Sequence, residues 1–182
     1  MSVPDEIIDV VDRSNRVIGR KSRVYVHEHK LFHRSVHGLL FNSRQQLFLQ
    51  KRACSKKVNP GLWDSSVFTG ETYEQALVRE TREELNFIPE NYRFLFGLSS
   101  KPITGYEFIR VYEIRFDGEI KVNREDIYEG KWFSRSELDI LIGSSERDLT
   151  ATFRLIYRIH SESRSVVDSK SFSLPCKGFA YS

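Results

Sequence analysis

Cysteine is scarce in this chain. Cys54 and Cys176 stand far apart, with no CxxC and no cysteine–histidine spacing of the kind that holds zinc. A disulfide framework and a structural zinc site are therefore not expected, and two free thiols in a reducing compartment are. Long apolar runs are missing too: no eighteen consecutive apolar residues occur, and the opening "MSVPDEIIDVVDRSNR" is acidic and mixed rather than basic and then apolar. The reading is a soluble, cytoplasmic protein with no membrane partner. Neither sign of charge prevails. The 28 basic and 25 acidic residues are interspersed, giving a net charge of +3 without the like-charged block that grips nucleic acid.

What is present suits one globular unit. At 182 residues the chain can bury a substantial core, and 13 Phe with 8 Tyr help to fill it. The domain is expected over residues 1–160, while 161–182 turn serine-rich without periodicity and read as a C-terminal tail. There is no internal repeat, and self-association into a homodimer stays open.

Apolar alternation and turn residues predict a fold of mixed α and β elements. "EIIDVVD", the turn "RSNR" and "VIG" form an opening hairpin, and "RKSRVYVHEHKLFHR" is less regular. "SVHGLLFN" and "LFLQKRA" form a second hairpin, followed by the basic loop "CSKKVNPG". Strands follow in "YRFLFGLSS", "YEFIRVYEIRF" and "EIKV". One helix is expected to start at Thr69 or Gly70 and to stop at Asn86. A second starts at Ser134, with Glu137 at the capping-box spacing, and a third lies within "ERDLTATFRLIYRIHSE".

The first of these helices carries the chemistry. Glu80, Glu83 and Glu84 are three and four residues apart, so one helical patch gathers three carboxylates. Their repulsion asks for compensation. Hard divalent cations, Mg²⁺ above all, take oxygen ligands from a few carboxylates together with substrate phosphates. An ordinary solvated face, with Arg79 paired to Glu83, would account for the same charges.

The wider pattern is more specific. Glu71, Arg79, Glu80, Glu83 and Glu84 read E-x7-R-E-x-x-E-E, which resembles the box of the Nudix hydrolases, G-x5-E-x7-R-E-U-x-E-E-x-G-U with U a bulky aliphatic. Ser65 stands where an ungapped count places the first glycine, Thr81 replaces the aliphatic, Asn86 replaces the second glycine and Phe87 ends the box. The segments "HRSVHGLLFN", "LFLQKRACSKKVNPGLWDSSV" and "EGKWFSRSEL" look like the branch that includes isopentenyl-diphosphate isomerases and their hydrolase relatives.

The resemblance implies an α/β/α sandwich with a mixed central sheet. It implies a divalent-metal-dependent hydrolase that cleaves a diphosphate linkage in a nucleotide or another X-linked diphosphate, a small-molecule substrate. Glu80, Glu83 and Glu84 would hold Mg²⁺ or Mn²⁺, Arg79 would orient the glutamates, and Glu71, with Gly70 before it, would brace the helix start. Arg52 and Lys56 fit the branch's phosphate-binding positions. Glu107 is the first candidate for the proton acceptor and Glu129 the second. His27 and His33 resemble histidines that hold a metal in the isomerases, although a lone His is more often simply packed.

Two alternatives stay open. The isomerases use a cysteine in a run like S-V-C-G-H; here Ser66, Val67, Phe68 and Thr69 include no Cys and no His, and Phe68 cannot exchange a proton, which disfavours an isomerase. Relatives also place about four more residues before the box glutamate, and the shortened "FTGE" keeps a catalytically impaired ligand-binding module in view.

Overall fold

The computed structural model describes residues 6–68, 72–144 and 146–171. Thr69, Gly70, Glu71 and Cys176 lie outside the described residues. The opening hairpin forms as expected from β1 (Ile7–Val11) and β2 (Val17–Ser22). The irregular stretch after it contains a short helix, α1 (Arg23–Glu28), capped by the Ser22 side chain on Tyr25 N. A hydroxyl just before a buried Val26 suffices to turn one and a half turns of chain.

The centre of the sheet is β3 (His33–Phe41), flanked by β4 (Leu47–Arg52) and β6 (Ser66–Phe68), with β5 (Trp63–Asp64) beyond β4. Helix α2 (Tyr73–Leu85) follows, then β7 (Tyr92–Leu98), β8 (Glu107–Arg115) and β9 (Ile127–Phe133), and finally α3 (Arg135–Ser144) and α4 (Ala151–Ser171). The described strands form one mixed sheet. Its path runs β2-β1-β3-β4-β5, with β9 on β4, β6 on β3, and β7 on β8. The parallel pair is β3 with β8, in register from His33↔Glu107 to Phe41↔Arg115.

Side-chain alternation along β3 and β4 sorts the core into two layers. Leu39, Phe41, Leu47 and Leu49 pack with Leu138 of α3 and with Phe153 and Ile156 of α4. Val36, Leu40 and Phe48 pack with Tyr73, Ala76, Leu77 and Leu85 of α2. Helices cover both faces, as the α/β/α expectation requires. Each fully buried Leu or Ile here is worth roughly 1.5–3 kcal/mol.

Three expectations are corrected. Helix α2 is capped at Thr72, not at Thr69 or Gly70: its side chain and that of Gln75 form a reciprocal capping box, which satisfies the first free N–H groups better than a glycine could. "EIKV" is not a strand, because Lys121 N and Asn123 N donate instead to Leu85 O and Glu84 O at the end of α2. The strand is β9, further on, and it carries Glu129, which is exposed. The last helix continues to Ser171, into the segment expected to be a tail.

Candidate functional site

Pairing between β3 and β4 is confined to Leu40↔Phe48 and Phe41↔Leu47. Beyond that point β4 turns to β5 and β9, while the first half of β3 pairs with β6 and β8. The two strands therefore part, and polar side chains gather where they diverge.

The first group surrounds α2. Arg79 Nη1 lies 2.8 Å from Glu80 Oε1 and 3.0 Å from Glu83 Oε2, and Arg79 Nη2 lies 4.0 Å from Glu6. Glu80 is nearly enclosed and Glu83 is half exposed. Gln50 Nε2 donates to Glu84 Oε2 over 3.3 Å. Burial pushes the Glu80 carboxyl up to about 7, helped by Glu84 and opposed by Arg79. Burial likewise pushes Glu84 up to about 7, with Asp126 adding to it and Gln50, Lys56 and Arg52 opposing. Burial is the first cause of both shifts, and neighbouring carboxylates add to it. Carboxylate oxygens are the hard donors that Mg²⁺ or Mn²⁺ takes, so the chemistry of these side chains fits such an ion, but among the described residues the three glutamates are not drawn together around one point, Arg79 lying between Glu80 and Glu83.

The second group lies at the start of β3 and β8. Parallel register sets Glu107 beside His33, with Oε1 3.3 Å from Nε2, and Ser35 Oγ donates to Glu107 Oε2 over 2.7 Å. The His27 and His33 rings meet edge to face at 4.8 Å. Nδ1 of His33 bonds to Leu31 O, and neither His27 Nε2 nor His33 Nε2 has a hydrogen-bond partner among the described residues. Ligand atoms of His27, His33 and Glu107 lie within 4.8 Å of one another, close enough to hold one metal ion. Burial would raise the Glu107 carboxyl, but His33, His37 and Ser35 outweigh it and hold it below its ordinary range. Burial takes His27 down to about 4.

Between the groups lies a buried polar seam. His37 Nδ1 is 2.9 Å from Ser65 Oγ and 3.9 Å from Asp64 Oδ1. Burial raises Asp64 to about 7 and lowers His37 to about 4. Arg52, at the end of β4, joins the groups electrically: its charge acts on Glu84 on one side and on Asp64, His37 and His27 on the other. Lys56 is engaged by Asp126 in an ion pair next to Glu84. Glu107 belongs with the histidines rather than with the helix glutamates, and it sits on an internal strand, not on a solvent edge.

Sequence reasoning passed over Gln50, Asp126 and Glu6. Gln50 had a legible signal: in "LFLQ" it takes the inward-facing turn shared with Phe48, where an apolar residue is expected, yet it is 3% exposed. Asp126 and Glu6 reach α2 only through chain folding and carry no local signal.

Residues 31–153 match the family model described as the NUDIX domain. The chain belongs to the Nudix hydrolase family. An uncharacterised Nudix hydrolase of Nostoc sp. is 34% identical over 163 residues, covering 86% of this chain and 96% of that protein. A protein named isopentenyl-diphosphate Delta-isomerase 2, from Photorhabdus laumondii, is 29% identical over 84% of this chain and 90% of its own length. The crystal structure of DR0079 from Deinococcus radiodurans superposes with a TM-score of 0.72 at 32% identity, covering 84% of this chain and 98% of that one. The Nudix box falls on α2, where three of its substitutions have a physical account. Asn86 adopts the left-handed conformation with φ 59° that ends the helix. Thr81 is fully buried and returns its hydroxyl to Leu77 O. Phe87 stacks on Phe116 at 3.9 Å.

Proposed function

We propose that this Nudix hydrolase cleaves a diphosphate linkage in a nucleotide or another X-linked diphosphate, with Mg²⁺ or Mn²⁺ held by Glu80, Glu83 and Glu84. The observation that most supports the reading is the set of three glutamates on α2, with Arg79 against Glu80 and Glu83 and with the charges of Arg52 and Lys56 acting on Glu84. Bound divalent cations would balance the carboxylates and the phosphoryl oxygens and would make water more acidic.

The chain's own groups take the remaining roles. Arg79 holds Glu80 and Glu83 in one orientation. Arg52 is assigned to receive phosphate, and Lys56 to exchange Asp126 for a phosphoryl oxygen. Glu107 remains ionised at neutral pH and is assigned as the proton acceptor. Gly70 and Glu71 are assigned to the support of the helix start. The exposed Cys54 thiol suits a reducing cytoplasm, and no helix among the described residues is long and apolar enough to cross a membrane.

A phosphate-release screen over nucleoside di- and triphosphates, dinucleotides, cofactor diphosphates and prenyl diphosphates tests this, with Mg²⁺ or Mn²⁺, for wild type, Glu83→Gln and Glu84→Gln. Loss of about a hundredfold or more in both variants is expected. Equal rates in all three proteins would refute the ligand assignment. Binding without turnover anywhere would favour the ligand-binding module.

The grouping of His27, His33 and Glu107 favours a second reading, an isomerase-like metal centre. Phe68 at the position of the isomerase cysteine weighs against it. Turnover of isopentenyl diphosphate would decide for the isomerase.

A further inference from the structure

On the layer opposite α2, a cavity of about 170 Å³ lies among Phe41 of β3, Arg135 and Leu138 of α3, and Tyr157, His160 and Arg164 of α4. Phe41, Leu138 and Tyr157 belong to the core that α3 and α4 share with the sheet, so this space is separate from the glutamate helix.

We infer that this cavity binds a small organic anion, a flat or compact apolar body bearing one carboxylate or phosphate. Three features of the wall point to that chemistry. First, Arg135 and Arg164 have no carboxylate within 4 Å among the described residues. Their neighbours differ in this respect: Arg93 and Arg115 are both taken by Glu113, at 2.9 and 2.6 Å. Two unengaged guanidinium groups beside one cavity attract an oxyanion and can meet it with paired N–H donors.

Second, His160 is 7% exposed and its ring lines the cavity, with no hydrogen bond to either ring nitrogen among the described residues. Burial and the nearby Arg164 lower its pKa, so the ring is neutral at neutral pH and offers one N–H donor and one acceptor. Third, beside the polar Gln45 and Ser161 the wall carries a flat apolar patch. His160 stacks on Phe41 at 5.5 Å, with Leu138 and Tyr157 beside them. A bare inorganic ion would leave that surface unused. The volume is well below the roughly 300–1,000 Å³ of sites for larger ligands, so a compact ligand suits it better than a whole nucleotide.

The test uses the full chain without metal, so that the glutamate site has little hold on anions. Ring C–H resonances of the five histidines are followed by NMR, with His160→Asn identifying the His160 signal. Benzoate, phenyl phosphate, inorganic phosphate and benzyl alcohol are titrated in turn. The expected result is a saturable shift of the His160 signal with benzoate or phenyl phosphate, and none with benzyl alcohol. Arg135→Ala and Arg164→Ala should each raise Kd at least about tenfold, the loss expected for one charge-assisted hydrogen bond. Both arginines are exposed, so these variants should fold. Glu84→Gln should bind the anions as wild type does, which separates this site from the hydrolytic one. Whichever of benzoate and phenyl phosphate binds more tightly identifies the anionic group the site prefers. No saturable shift at 10 mM of any probe (on the order of the weakest affinities of interest), or a Kd unchanged in both arginine variants, would overturn the inference.

Discussion

Gln50 Nε2 donates to Glu84 Oε2 across 3.3 Å, which ties β4 to the glutamate helix at its most enclosed carboxylate. Gln50 is itself buried and its Oε1 has no hydrogen-bond partner among the described residues. The contact therefore serves to orient Glu84. Replacing Gln50 by Ala should cost about 1 kcal/mol of stability and lower kcat/KM by roughly ten- to a hundredfold, as losses of groups that orient metal ligands do. Urea denaturation and steady-state kinetics check the two effects separately, and an unchanged kcat/KM would remove Gln50 from the site.

The Glu84 carboxyl gives a pH signature. In metal-free protein its pKa is raised from 4.5 to about 7. The folded state therefore keeps a proton over that window which the unfolded state has lost, so stability falls as pH rises from 4.5 to 7 and is level above. His27 and His37, lowered from 6.5 to about 4, act in the opposite sense. Their contribution is present above pH 6.5 and is lost as pH falls towards 4. The difference between Glu84→Gln and wild type isolates the glutamate. In EDTA the variant should melt about 3–6 °C higher at pH 8, with the gap closing by pH 4.5 and shrinking when Mg²⁺ saturates wild type.

Asp126 and Lys56 form an ion pair beside Glu84. Lys56→Ala should raise KM for the substrate by about tenfold with kcat little changed, the mark of a contact made equally in ground and transition states. Asp126→Asn should free Lys56 and lower KM instead. Michaelis kinetics on both variants distinguish a phosphate-binding Lys56 from a purely structural one, which would leave KM unmoved in both.

Asn86 ends α2 at φ 59°, a left-handed conformation that glycine holds without strain. Asn86→Gly should be neutral or slightly stabilising, and Asn86→Val should cost roughly 1–2 kcal/mol, readable as a shift in the urea midpoint at constant slope.

Much of the architecture was legible in the chain. "SVHGLLF" and "LFLQ" announce buried central strands through apolar density, and "SRSE" announces the capping box of α3. There Glu137 N donates to Ser134 Oγ, and Ser134 N donates back to Glu137 Oε2. The glutamate spacing on α2 was equally plain, because a helix brings residues three and four apart together whatever surrounds it. Errors fell where partners are distant. "EIKV" has strand-like residues, but its backbone satisfies the end of α2 instead of a neighbouring strand. The start of α2 was misplaced because Thr69 and Thr72 look alike until Gln75 closes the reciprocal contact.

The sequence by itself determined the helix glutamates and the hydrolase-type box, since both follow from a local spacing, while the layered core was implied by the resemblance that the box carries. Only the tertiary structure decided what acts on them. Parallel register of β3 with β8 placed Glu107 against His33, and the parting of β3 from β4 opened the polar seam. Folding also brought Gln50, Asp126 and Glu6 to α2 and His160 to its cavity. The physical reason is the same in each case: electrostatic environment depends on burial and on neighbours remote in the chain, and no local pattern encodes either.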